Sequence, residues 1–163
     1  MKRNRLACLA AASLLAASSI GLAATPAVAD TTRYGCTVYK PAGPRADGVD
    51  GSNRVMIKWV IDVKCDKGRT IHVHQIRMEE DDGTGEGRGD DYVGEKTYSR
   101  SFRGKAGTHR FTYREQLPQT KDAGGGKEPN EEMYQKVRFR VSSNGVVSSW
   151  TNYERGGASW IFH

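Results

Sequence analysis

The stretch Arg54-Val55-Met56-Ile57-Lys58-Trp59-Val60-Ile61-Asp62-Val63-Lys64-Cys65 decides the fold class. Val55, Ile57, Trp59, Ile61, Val63 and Cys65 occupy every second position, with Arg54, Lys58, Asp62 and Lys64 between them. Successive strand side chains point to opposite faces, so this pattern describes a strand with one face in a core and one in water. No window of the chain keeps a helical period, whereas period-two alternation recurs, and the chain reads as all-β.

Downstream, Asp66-Lys67-Gly68 predicts a tight hairpin with Gly68 in the left-handed position. Pairing Cys65 with Arg69 sets Val63 opposite Ile71 and Ile61 opposite Val73. Ile76 and Met78 are out of phase with Ile71 and Val73, which predicts a β-bulge near His74-Gln75. Tyr98 and Phe102 open a further hairpin that turns at Gly104 to Gly107 and returns through His109, Phe111 and Tyr113. Val137, Phe139 and Val141 alternate with Lys136, Arg138 and Arg140 up to Asn144-Gly145, the preferred pair of a type I′ turn. Pairing Ser143 with Val146 then sets Phe139 opposite Trp150. Upstream, Tyr34 to Tyr39 reads as a first strand, and Trp160-Ile161-Phe162 as a last one. Polar, glycine-bearing stretches near 40–53, 79–95 and 118–132 read as loops.

About six to seven antiparallel strands with regular turns predict a single small immunoglobulin-like β-sandwich. The segment Val137-Arg138-Phe139-Arg140-Val141-Ser142-Ser143-Asn144-Gly145 with Ser149-Trp150 resembles the final hairpin of fibronectin type III domains. That resemblance implies a sandwich scaffold and no function of its own.

The first 29 residues read as an address and not as part of the fold. Lys2, Arg3 and Arg5 precede an apolar run from Leu6 to Leu22, and Ala27-Val28-Ala29 is an A-x-A cleavage signal. The run is too short and too rich in Ala and Ser for a stable membrane span. Cys8 lies at its front, where a lipid-attachment cysteine would not lie. A signal peptide over 1–29 and a secreted, extracellular domain over 30–163 follow. Of the 163 residues, 134 remain once those 29 are removed, enough for one domain with a modest core. Cys36 and Cys65 also remain, and an oxidising compartment pairs them as a structural disulfide. Without Lys2, Arg3 and Arg5, the 25 basic residues become 22 against 19 acidic ones, a net charge of +3. So mild an excess does not by itself point to nucleic acid.

Candidate chemistry is sparse. His72 and His74 form an H-x-H pair that could face one metal, with Asp62 opposite His72 in the hairpin register as a third ligand. A polar outer face with a cross-strand Asp–His contact accounts for them better, and no metal or other cofactor is assigned. The loop from Asp81 to Asp91 offers oxygen ligands suited to calcium, but Val93 stands where an EF-hand starting at Asp82 needs Glu. His109, Arg110, Arg114 and Glu115 have the residue types of a small ribonuclease. His109 and Glu115 share the phase of Phe111 and Tyr113, however, while Arg110 and Arg114 point the other way, so the set does not converge. No nucleophile elbow or phosphate loop occurs.

What remains is a surface. Lys136, Arg138 and Arg140 form a basic row with Tyr134 and Tyr153 near it, and Trp160 and Phe162 are candidate apolar anchors. The reading is a secreted non-enzymatic protein-binding or adaptor domain whose partner is another secreted protein. The alternative is a ribonuclease-like or anionic-polymer or glycan-binding protein, with a cell-surface polymer as the ligand. The layout of leader, one disulfide-tied β-domain and no catalytic set is similar to the small adaptor subunits of secreted umbrella toxin particles. That similarity implies a place in an extracellular antibacterial toxin complex.

Overall fold

The computed structural model describes residues 30–80, 89–118 and 130–162. The signal-peptide reading and most of the acidic loop lie outside these residues. The described chain is all-β and antiparallel, with eleven strands in two sheets. Six of them are the long or core strands foreseen from the alternation. The remainder are short pieces of two to five residues that line sheet edges.

In the first sheet, β4 (Val55–Cys65) is central. Strand β7 (Gly107–Gln116) covers one of its edges along ten residue pairs. The other edge is shared end to end by β2 (Cys36–Val38) and β3 (Arg45–Val49). Strand β1 (Thr31–Arg33) forms a small hairpin with β2 through a left-handed turn at Tyr34-Gly35, the two residues expected to open the first strand. Strand β3 likewise lies inside the stretch read as a loop over 40–53. Cys36 stands directly opposite Cys65 and the two are disulfide-bonded.

In the second sheet, β5 (Thr70–Glu79) runs between β6 (Asp91–Ser101) and β8 (Asn130–Ser143). The far edge of β8 carries β9 (Val146–Val147), β10 (Glu154–Arg155) and β11 (Ser159–Phe162). Strands β6 and β8 begin at Asp91 and Asn130, inside the stretches read as loops.

Two expected hairpins do not form. Strand β4 pairs with β7 and not with β5, and β6 pairs with β5 and not with β7. At Asp66–Arg69 and again after Ser101 the chain crosses from one sheet to the other. The reason is edge occupancy: β2, β3 and β7 use both hydrogen-bonding edges of β4, leaving none for β5. The corner is held instead by Asp66 N–H to Gly35 C=O, Gly68 N–H to Phe102 C=O and Phe102 N–H to Arg69 C=O. Ile61, Val63, Ile71 and Val73 still meet, as facing layers of the sandwich and not as cross-strand pairs.

The bulge expected at His74-Gln75 is absent. Burial alternates without interruption along β5, so Gln75, Arg77 and Glu79 take the inner positions and Ile76 and Met78 the outer ones. The one register shift against β6 falls between Arg77 and Met78. Inside the sandwich, one apolar cluster surrounds the disulfide and joins Ile61, Val63, Ile71, Val73, Phe111, Phe139 and Val141. A second joins Ile57, Trp59, Leu117, Met133 and Ile161.

The Asn144-Gly145 turn forms as expected, with both residues at positive φ (50° and 81°) and Ser143 opposite Val146. The ladder then slips by one residue. Thr151 N–H bonds to Phe139 C=O, and the Ser148 and Thr151 hydroxyls accept from Val141 and Phe139 N–H. Phe139 consequently stays in the core while Trp150 turns to the outer face, and the expected Phe139–Trp150 pair is not made. The next segment closes that side of the sandwich through Gly156 N–H to Gln135 C=O and Gly157 N–H to Pro41 C=O. A side chain at position 156 would meet the Pro41 carbonyl oxygen at 2.6 Å, so glycine is needed there.

Candidate functional site

The outer face of the six-stranded sheet gathers most of the chemistry. Along β5 it presents His72, His74, Ile76 and Met78, and along β8 Arg140, Arg138, Lys136 and Tyr134. Antiparallel register sets His72 opposite Arg140, His74 opposite Arg138, Ile76 opposite Lys136 and Met78 opposite Tyr134. The slipped segment after β9 lays Trp150 and Tyr153 over this face.

The arginines are stacked on those rings. The Arg138 guanidinium lies 5.0 Å from the Trp150 ring centroid and 4.6 Å from that of Tyr153, and Arg140 lies 4.8 Å from Trp150. Stacking on an aromatic face restrains the planar fork without using up its in-plane N–H donors. The Nε atoms of both arginines are covered and unbonded. Neither arginine nor Lys136 has an ion-pair partner among the described residues. Arg33 donates to the Trp150 carbonyl (3.4 Å) and to Ser149 Oγ (3.1 Å), tying the ring-bearing segment to the other sheet.

The histidines sit beside the arginines. His72 Nδ1 is 3.2 Å from Ser99 Oγ and its Nε2 is 3.3 Å from Ser142 Oγ. Burial, and then the charge of Arg140, hold its pKa below the ordinary histidine value. His74 is bridged on both nitrogens, by Tyr153 OH at 2.7 Å and a Glu95 carboxylate oxygen at 3.3 Å.

The seven residues singled out as a surface fall on this one face in different states. Tyr134 is fully buried beneath Arg155, and its hydroxyl donates to Asp90. Burial and that carboxylate push its pKa far up, so Tyr134 supports the face and is not accessible. Trp160 and Phe162 are 49% and 67% exposed at the far end, while Ile161 between them is in the core. The C-terminal aromatic triplet thus divides by pleat: one residue packs inside and two face water.

The other candidates separate. Asp62 lies in the opposite sheet from His72 and accepts two hydrogen bonds from Arg110 (2.7 and 2.8 Å). That contact lowers the Asp62 pKa. No group of three or more His, Cys, Asp or Glu is placed to hold a metal among the described residues. Of the ribonuclease-type set, Arg110 pairs with Asp62 and Arg114 with Asp47 on the outside of their sheet. His109 packs edge-on against Phe111, and burial lowers its pKa. Glu115 turns inward to Arg77 (2.8 Å) and Trp59 Nε1 (2.8 Å), and burial raises its pKa.

Two features escaped the sequence reading. One is the pairing of His72 and His74 with Arg140 and Arg138, which joins residues more than sixty positions apart. The other is a polar layer in the interior: Tyr98 OH donates to Gln75, whose amide donates to Gln135 (2.7 Å each). Gln135 in turn donates to the Ala42 and Val60 carbonyls. Its signal was present in the unbroken alternation through Gln75, Arg77 and Glu79.

No protein-family model matches the chain, and no curated protein matches it. Among the described residues no helix is long and apolar enough to cross a membrane.

Proposed function

We propose that this protein is a secreted, non-enzymatic binding domain that docks an acidic surface of a second extracellular protein on the outer face of its six-stranded sheet. The observation that carries this reading is the stacked set of Arg138 and Arg140 on Trp150 and Tyr153, with Lys136 alongside and no carboxylate among the described residues in an ion pair with any of the three. A guanidinium already restrained by stacking can take a carboxylate in bidentate geometry at little further entropic cost. Trp160 and Phe162 extend the face with exposed apolar area, the usual complement to a charged rim. Export rests on the leader-like residues 1–29 and on the Cys36–Cys65 disulfide. The adaptor role in a toxin complex belongs to this same proposal.

Affinity capture from culture supernatant tests it. The wild-type domain is expected to retain a specific protein that the Arg138→Glu/Arg140→Glu variant, with its melting temperature unchanged, does not. Equal capture by both overturns the assignment of this face. The same guanidinium edges suit phosphate, so retention of isolated cell-wall polymer in place of any protein would favour the anionic-polymer reading.

A further inference from the structure

We infer that His72 and His74 make this face a proton-coupled binding site, which holds its anionic partner more tightly as the surroundings acidify. The inference rests on the reading of the face as an anion-binding surface and adds its regulation.

The geometry places a titratable ring directly across from each stacked arginine. His72 is met from β6 by Ser99 and from β8 by Arg140 and Ser142. Both serine hydroxyls can donate to a neutral ring or accept from a charged one, so they do not choose between the two forms. The charged neighbour acting on His72 is Arg140, which together with burial opposes protonation in the unbound protein. An anion seated on Arg140 cancels that opposition and is itself drawn to the imidazolium. Binding then takes up a proton, and by linkage the affinity rises as pH falls.

His74 acts on the plates that hold the arginines. It is met from β6 by Glu95, from β8 by Arg138, and from the segment after β9 by Tyr153 and the Trp150 ring. Once charged, it binds Glu95 as an ion pair while keeping the Tyr153 hydroxyl. The ring that stacks Arg138 is then tied to the neighbouring strand. One histidine adds charge where the anion sits, and the other stiffens the aromatic support.

The test uses the secreted domain and a synthetic oligoglutamate peptide at constant ionic strength, with affinity measured by calorimetry. The expected result is a tightening of about tenfold or more between about pH 7.5 and about pH 5.5, since each coupled proton contributes up to about tenfold per pH unit. The peptide itself loses charge over that interval, so it cannot produce the gain. His72→Gln should flatten part of the slope and His72→Gln/His74→Gln nearly all of it. In the wild type, the NMR titration midpoint of His72 should move upward when the peptide saturates the face. That measurement keeps the inference falsifiable if the double variant does not fold. A wild-type affinity independent of pH, a slope surviving in the double variant, or an unmoved His72 midpoint overturns this inference alone. Absence of peptide binding at every pH overturns the anion-binding reading and this inference with it.

Discussion

The two ends of the sandwich interior are built differently. Around the Cys36–Cys65 disulfide both sheets present apolar side chains: Ile71 and Val73 of β5, with Phe139 of β8 beside them, face Ile61 and Val63 of β4. Two residues further along β5 the same face carries Gln75, Arg77 and Glu79, all buried, while β4 opposite stays apolar with Trp59 and Ile57. The first end is held by area and shape. The second is held by directed bonds: the Tyr98–Gln75–Gln135 chain, the Arg77–Glu115 pair and the stacking of Arg77 on Tyr113 at 4.5 Å. Burying charge is unfavourable unless each group keeps its partner, so the polar end adds specificity of arrangement more than net stability. Burial pushes the Tyr98 hydroxyl up to about 12, so it stays a donor to Gln75 at any ordinary pH.

That contrast can be broken by substitution. Phe139→Ala, at the apolar end, should lower unfolding free energy by about 3–5 kcal/mol in a urea titration. A loss under about 1 kcal/mol would show that this layer is loosely packed. Replacing both cysteines by alanine should cost about 3–4 kcal/mol in the chain-entropy account of a bridge spanning 29 residues.

At the polar end the singles and the double should disagree. Arg77→Met leaves Glu115 buried without its cation and should cost about 3 kcal/mol. Arg77→Met/Glu115→Leu should return to within about 1–2 kcal/mol of wild type, the rest being the Trp59 indole N–H left without an acceptor. Additive losses in this cycle would mean that the two side chains act independently.

The smallest effect is in pH. Burial holds the Glu115 carboxyl above its usual 4.5, so between 4.5 and that raised value the folded protein binds a proton that the unfolded chain does not. Stability from this group is complete below 4.5 and declines as pH rises through the folded value. Wild type should therefore lose ground to Glu115→Gln on going from acid to neutral pH. The opposite slope would show that Arg77 outweighs burial.

Much of the fold was legible. The alternation in Val55–Cys65 and Val137–Val141 named the inner residues of β4 and β8 correctly, and Asn144-Gly145 specified its turn. The cysteine pairing followed from the even number left outside the leader-like segment. Misreadings arose where apolar character was trusted over phase. A bulge at His74-Gln75 would keep Ile76 inside, but the unbroken pleat puts Gln75 and Arg77 there. Of the candidate surface, the basic row on β8 was visible as sequence. Tyr153 was legible beside it, but Trp150, His72 and His74 were not, because a one-residue slip after β9 and a non-local pairing brought them to the row.

Period two is a property of the single strand, so the amino-acid sequence alone determined which side chains of each long strand share a face. It did not determine which strands are neighbours. Backbone hydrogen bonding is nearly blind to residue type, and every strand has two edges to fill. Only when β2, β3 and β7 had occupied both edges of β4 was β5 sent to the opposite sheet, to lie beside β8 and set two histidines against two arginines.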